Sequence, residues 1–149
     1  MSNWGHVEKV TREVGGKTCT FRSKLEYRWA VWLQLQKEQG LILEWWYEDE
    51  VLELESRKFR EPITYIPDFT VQTPDGYEFD ECKGWFTSKS ATKIKLAATQ
   101  YENPITLIFA AKPNRVQYNR AIHLEPFLKR VIYNANRDIF KKIKHLFEI

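Results

Sequence analysis

Pro74-Asp75-Gly76 sits between two β-rich runs, Ile63–Thr73 and Tyr77–Lys83, and nothing else in the 149-residue chain restricts the fold so closely. A tight turn between such runs makes them neighbouring antiparallel strands. Side chains alternate along a strand, so the register then decides which residues share a face. A two-residue Asp75-Gly76 loop, the form that Asp-Gly favours, pairs Pro74 with Tyr77. Counting back, Asp68 falls opposite Lys83 and Thr70 opposite Glu81. Asp68, Glu81 and Lys83 then point one way and Asp80 the other. A three-residue loop would slip the register by one and send Asp68 across the sheet, and a bulge would also change the count.

The flanking sequence extends this hairpin into a domain. Ser23-Lys24-Leu25-Glu26 fits a capping box, so a helix is expected to begin at Ser23 and stop at Gly40. Leu25, Trp29, Trp32 and Gln36 form one stripe of it, with Glu26, Ala30 and Leu33 alongside. Leu41–Tyr47 and the alternating Glu50–Glu55 read as strands. Thr87 or Ser88 caps a second helix running to about Tyr101, and Ile105–Ala111 is a short buried strand between Pro104 and Pro113. From Arg115 the pattern is mostly helical with a break near Pro126, and Ile139, Phe140, Ile143, Leu146 and Phe147 follow at helical spacing. Residues 1–16 show no period and read as a flexible N-terminal arm in which Trp4 could dock, with a short strand starting near Lys17. The order α-β-β-β-β-α-β-α implies an α/β fold: a mixed central β-sheet flanked by helices, one domain over residues 17–149 with a basic helical region from about 115.

Composition suits a globular chain, with 43% hydrophobic and 15% aromatic residues. Two separated cysteines, Cys19 and Cys82, form neither a disulfide framework nor a zinc knuckle. No apolar stretch approaches membrane-spanning length and no signal peptide is evident, so a cytoplasmic protein with no membrane partner is expected. Charge is segregated: residues 1–82 hold 10 Lys/Arg and 16 Asp/Glu, a net −6, while residues 83–149 hold 13 and 4, a net +9. A basic half suits a polyanion partner as well as it suits solvated helix faces, and the acidic half offers carboxylates to a metal.

Hydrolysis of a phosphodiester needs a cation held against the phosphate, an oriented water and an offset for developing negative charge. Asp68 and Glu81 are the carboxylates for that cation, the Cys82 backbone carbonyl is a third ligand, and Lys83 is the amine beside the water. Magnesium takes such hard oxygen donors, and no organic cofactor is called for.

Pro67-Asp68, twelve intervening residues and then Glu81-Cys82-Lys83 resembles the PD-(D/E)xK nuclease superfamily, shared by many restriction enzymes and resolvases. In that superfamily the Asp and Glu bind Mg²⁺ and the Lys serves catalysis. By motif match these are Asp68, Glu81 and Lys83, and an acid often present on the first core helix falls at Glu26. The combination Phe21-Arg22-Ser23-Lys24-Leu25-Glu26, Pro67-Asp68-Phe69 and Glu81-Cys82-Lys83-Gly84 resembles phage endonuclease I-type Holliday-junction resolvases, over roughly residues 20–110. The resemblance implies a restriction-endonuclease-like core (α-β-β-β-α-β), Mg²⁺ with Mn²⁺ as substitute, branched or four-way-junction DNA as substrate and a homodimer. If the gene is phage-encoded, it also implies the host-cell cytoplasm. Asp80 and Cys82 depart from the family, whose central strand is commonly aliphatic there. A sequence-specific restriction, nicking or transposition endonuclease is the alternative within enzymes, and a catalytically silent DNA-binding protein the alternative outside them.

Glu26 has two readings. As third residue of the capping box it would bond the Ser23 amide; turned inward with Ala30 and Leu33 it would face the metal. Further DNA-binding candidates are Arg22 beside Glu26, Trp85 as a stacking or wedging ring, and Lys89, Lys93 and Lys95 on the second helix. Each lysine is equally an ordinary solvated residue. Arg137, Lys141, Lys142 and Lys144 make the last helix basic, a further candidate for binding DNA, while its apolar stripe packs on the domain or a second subunit.

Overall fold

Proline fixes φ and donates no backbone hydrogen bond, so a strand seldom runs through one. Pro67 accordingly divides the run Ile63–Thr73 into two strands in the computed structural model, which describes residues 9–58 and 60–147. In chain order the strands are β1 (Val10–Val14), β2 (Lys17–Phe21), β3 (Glu44–Tyr47), β4 (Leu52–Leu54), β5 (Ile63–Tyr65), β6 (Phe69–Thr73), β7 (Gly76–Lys83), β8 (Ile105–Phe109) and β9 (Arg130–Ile132). Helices α1 (Lys24–Glu38), α2 (Ser88–Gln100), α3 (Arg115–Leu124) and α4 (Ala135–Asp138) alternate with them, and 3-10 turns cover Glu125–Phe127 and Phe140–Leu146. Five strands form one mixed sheet in the order β3-β6-β7-β8-β9, antiparallel from β3 to β7 and parallel from β7 to β9. The chain is thus a single α/β domain with a mixed sheet between helices. None of its described helices is long and apolar enough to cross a membrane.

Both ends of α1 carry their own stop signals. The Ser23 hydroxyl accepts the Glu26 amide at 3.2 Å. At the other end Gly40 takes φ +76°, and the amides of Gly40 and Leu41 return to the carbonyls of Lys37 and Gln36 at 3.0 and 2.9 Å. That paired closure is a Schellman motif, which only a residue tolerant of positive φ completes cheaply. α1 lays Trp29, Ala30 and Leu33 on one sheet face, against Trp45, Phe69, Val71 and Cys82. Phe140 and Ile143, from the 3-10 turns that kink at Ile143, close the same face. The opposite face lies under α2, α3 and the β4–β5 ribbon, with Ile94, Ala97 and Ala121 against Phe79, Leu107 and Phe109.

Three expectations are corrected. Val10–Val14, placed in the N-terminal arm, is a strand paired with β2; Trp4 lies outside the described residues. Arg130–Ile132, read as helical, adds a parallel strand beside β8, and three residues are too few to show a period. The segment from Phe140 is 3-10 rather than α-helical, and it is broken by a kink at Ile143, whose φ −119° and ψ 20° leave the helical region.

Asp80 shows how the α1 face tolerates a polar residue. It is buried, and Trp29 donates its indole N–H to Oδ2 at 2.8 Å. Burial pushes the Asp80 carboxyl up to about 7, and the Trp29 bond and Arg130 only partly oppose this. The folded state therefore holds this proton to higher pH than the unfolded chain, so stability falls as pH rises from about 4 through 7. Asp80→Asn keeps an acceptor for Trp29 and should remove that loss. After relaxation around the buried charge the gain is about 1–2 kcal/mol at pH 8 and near zero at pH 4, read by urea denaturation at both values.

Candidate functional site

The hairpin turn sets the site's geometry, and it differs from expectation by two residues. Pro74 and Asp75, not Asp75 and Gly76, form the loop, so Thr73 pairs with Gly76 and Thr70 with Phe79. Pro74 suits the first turn position because its φ is already near −65°. The Thr73 hydroxyl ties the turn by accepting the Asp75 amide at 3.2 Å and donating to the Gly76 carbonyl at 3.0 Å. Gly76 itself sits at φ +137°. A shift of two leaves every side chain on its expected face. Continuing the register past Phe69↔Asp80 brings Asp68 level with Glu81 rather than with Lys83.

Asp68 and Glu81 are then locked together through the backbone. The Cys82 amide donates to Asp68 Oδ2 at 2.8 Å, and the Asp68 amide to Glu81 Oε1 at 3.1 Å. An extended residue turns its N–H and C=O to the same neighbouring strand, so the Cys82 carbonyl is directed to the Asp68 side, as a third ligand requires. Lys83 Nζ lies 3.0 Å from Glu81 Oε2, and 3.5 Å from the Ser90 hydroxyl at the start of α2. The first turn of α1 brings Glu26 in from the other side of the sheet. Its carboxylate accepts the Tyr47 hydroxyl at 2.5 Å and the Arg22 amide at 3.4 Å, so the inward reading of Glu26 describes its placement.

Glu48 joins these acids and was not singled out from the sequence. Oxygens of Glu26, Glu48 and Asp68 all lie within 4.8 Å of one another. Glu81 is outside that triplet, held by Lys83 and the Asp68 amide. Glu48 has φ 48°, and among the described residues no other non-glycine has positive φ. Its amide donates to the Asp68 carbonyl at 2.9 Å, and Arg22 Nε reaches its Oε1 at 2.6 Å. The acidic run Glu48-Asp49-Glu50 is visible in the sequence, but nothing there picks out which acid turns inward. Left-handed backbone costs about 1–2 kcal/mol for a residue with a Cβ. Glu48→Gly is therefore expected to raise stability by about 1 kcal/mol, read as a higher Tm, while weakening any cation-dependent activity.

Crowding these acids has an electrostatic cost. Burial pushes the Asp68 carboxyl well above the usual range, and the charges of Glu81 and Glu26 push it further against the Cys82 amide and Lys83. Glu26 is raised by burial too, opposed by its bonds to Tyr47 and Arg22 and reinforced by Glu48 and Glu81. Burial alone would lower the Lys83 ammonium, but its ion pair with Glu81 outweighs burial and holds it protonated. Tyr65 closes the pocket floor. Its hydroxyl is buried beside Glu81, and burial, then the charges of Glu81 and Asp68 and a bond to Glu81, push it well above an ordinary phenol.

The resulting pocket of about 440 Å³ is lined by Arg22, Glu26, Glu48, Tyr65, Asp68, Glu81, Cys82, Lys83, Ser90 and Lys93, among others. The carboxylates of Glu26, Glu48, Asp68 and Glu81 are hard oxygen donors that could hold a divalent cation such as Mg²⁺, and Lys83, Lys93 and Arg22 could position an anionic ligand beside it. Arg22 and Lys93 are on its wall. Lys89 is exposed on α2 outside the pocket, and Lys95 turns away to lie 5.0 Å over the Phe127 ring. Trp85, 68% exposed, follows directly after β7 and Gly84. Comparison of the chain with protein-family models, curated proteins and solved structures found no match.

Proposed function

We propose that this chain is a Mg²⁺-dependent endonuclease that hydrolyses phosphodiester bonds in branched DNA, with a four-way junction as its preferred substrate. The observation that carries the reading is the convergence of Asp68, Glu81 and Lys83 on one face of a hairpin, with Glu26 and Glu48 closing the same pocket. The succession α1-β3-β6-β7-α2-β8 supports a restriction-endonuclease-like core, with the small β4–β5 ribbon inserted.

The donor set fits a hard divalent ion, since four carboxylates crowd one space in which Lys83 pairs with Glu81 and Arg22 with Glu48, while the charges of Glu81 and Glu26 still bear on Asp68. Asp68, Glu81, the Cys82 carbonyl, Glu26 and Glu48 would hold it, with Mn²⁺ as substitute. When bound, Mg²⁺ supplies Lewis acidity to the scissile phosphate and acidifies a water. Glu81 keeps Lys83 charged, and the Lys83 ammonium orients the attacking water and offsets charge as it develops. Arg22 and Lys93 steady neighbouring phosphates, and Trp85 offers an exposed ring for an unstacked base. A C₂ dimer with two such pockets would suit the two symmetric strands of a junction.

A labelled four-way junction and a linear duplex of the same sequence, incubated side by side with Mg²⁺, test the substrate. Preferential cleavage of the junction is expected. Equal cutting at one sequence in both would favour a restriction or nicking enzyme. No cutting of either, despite binding, would favour a silent DNA-binding protein.

A further inference from the structure

The carboxyl ends of β7, β8 and β9 lie along one rim of the sheet, because these three strands are parallel. β7 delivers Lys83 to the catalytic pocket there. Past the ends of β8 and β9 a second groove, about 480 Å³, opens between α1 and the C-terminal turns. Arg28, Arg137, Lys141 and Lys144 line it, with the polar Asn136 and the ring of Phe140. No acidic residue is among its lining residues, although Asp138 takes the Arg137 guanidinium at 2.7 Å. Lys141 and Lys144 make no ion pair or side-chain hydrogen bond among the described residues, and both are exposed. Arg28 lies 5.6 Å over the Phe147 ring, which stations its charge at the groove.

Two features give this patch the character of a built surface. Phe140 and Ile143 anchor the turn in the core beneath α1, so Lys141 and Lys144, each next to one of them, are presented on a fixed base. The rim of the sheet also joins the two pockets: Lys83 at the end of β7 lines the acidic one, and Ala111, just past the end of the neighbouring β8, the basic one. An anion bound at the basic groove therefore sits beside the acidic pocket. The crevice beyond the carboxyl ends of parallel strands is also where open α/β sheets bind ligands.

We propose that this groove binds the phosphodiester backbone of nucleic acid flanking the cleaved bond. The inference rests on the endonuclease reading for its occupant, and the groove contributes affinity without taking part in the chemistry. A duplex carries one negative charge per ~1.7 Å of axis, so any DNA seated in the acidic pocket places further phosphates along the adjoining rim.

The test measures binding without divalent cation, by fluorescence anisotropy of a labelled four-way junction and a labelled duplex. Wild type is compared with Lys141→Gln/Lys144→Gln, both exposed positions, with thermal melting as the check that the variant is folded. A loss of about tenfold or more in affinity at 0.1 M salt is expected, alike for different sequences. The salt slope should be less steep by roughly 1.8, two contacts at ~0.9 each. With Mg²⁺, kcat at saturating DNA should stay unchanged and KM should rise. Unaltered affinity and slope would overturn the assignment while cleavage by the wild type left the endonuclease reading standing. Loss of binding to phosphatidylserine vesicles with DNA binding intact would also overturn it, giving the groove to a membrane surface. A wild type that neither binds nor cuts DNA would sink the endonuclease reading itself.

Discussion

Asp68→Asn is expected to lower Mg²⁺-dependent DNA cleavage by at least 10²–10³-fold and, in the same protein, to raise stability when no divalent cation is present. Asp68 stands at the centre of the acid cluster, raised by burial and by the charges of Glu81 and Glu26. Its folded form keeps a proton that the unfolded chain releases near the ordinary carboxylate value. Stability is therefore lost as pH rises above about 4, and neutralising the residue restores it. Asn still offers an oxygen to the Cys82 amide, which now donates to Oδ2 at 2.8 Å, so the β6–β7 junction survives. About 1 kcal/mol at pH 8, or ~3 °C in Tm, is the expected gain. The effect of Mg²⁺ has the opposite order. An ion at a hundred times its Kd stabilises the protein that binds it by ~2.7 kcal/mol, so the wild type should melt higher with Mg²⁺ and Asp68→Asn should barely respond. Melting at pH 8 and pH 4, with and without Mg²⁺, alongside initial cleavage rates, checks both signs. A variant destabilised under metal-free conditions would show that Asp68 is a structural carboxylate.

Lys83→Ala should also cost about 10²–10³-fold in cleavage, but with the reverse effect on the fold. Its ammonium is 3.0 Å from Glu81 Oε2, and the two side chains are 18% and 5% exposed. Removing one member of so buried a pair leaves the other charge uncompensated, at a cost of about 3 kcal/mol. Glu81 would then face Asp68 with no cation between them, so the loss should shrink when Mg²⁺ is added. Lys83→Met, which keeps the stem, should show the same charge effect with less lost packing. Urea denaturation with and without Mg²⁺ measures it. If Lys83→Ala is as stable as wild type without metal, Lys83 does not balance the acids and its proposed role beside the water loses its basis.

Much of this site could be read from residue order because it depends on parity. Asp68, Glu81 and Lys83 share a face under any even shift of register, so the turn at Pro74-Asp75 in place of Asp75-Gly76 moved partners without moving sides. The caps of α1 and α2 were legible for a related reason: Ser23 and Thr87 each satisfy an amide within three residues. Glu48 was hidden because its inward position comes from one left-handed residue, and no local pattern announces a φ of 48° on a glutamate. β9 was hidden because three residues pairing with β8 carry no periodicity. β1 was hidden because its strand character depends on pairing across Gly15-Gly16 with β2, which its alternating exposure hardly advertises. Asp80, a residue foreign to an aliphatic central strand, is accommodated by Trp29 one helix away, a tertiary contact 51 positions distant in sequence.

The most direct measurement is the anomalous scattering of Mn²⁺ in crystals of the protein grown with a non-cleavable branched DNA. One or two peaks are expected in the pocket bounded by Glu26, Glu48, Asp68 and Glu81, each ligated by Asp68 and touching a phosphate oxygen of the DNA. Bound DNA with no manganese at Asp68, or manganese held only at acids elsewhere on the surface, would contradict it.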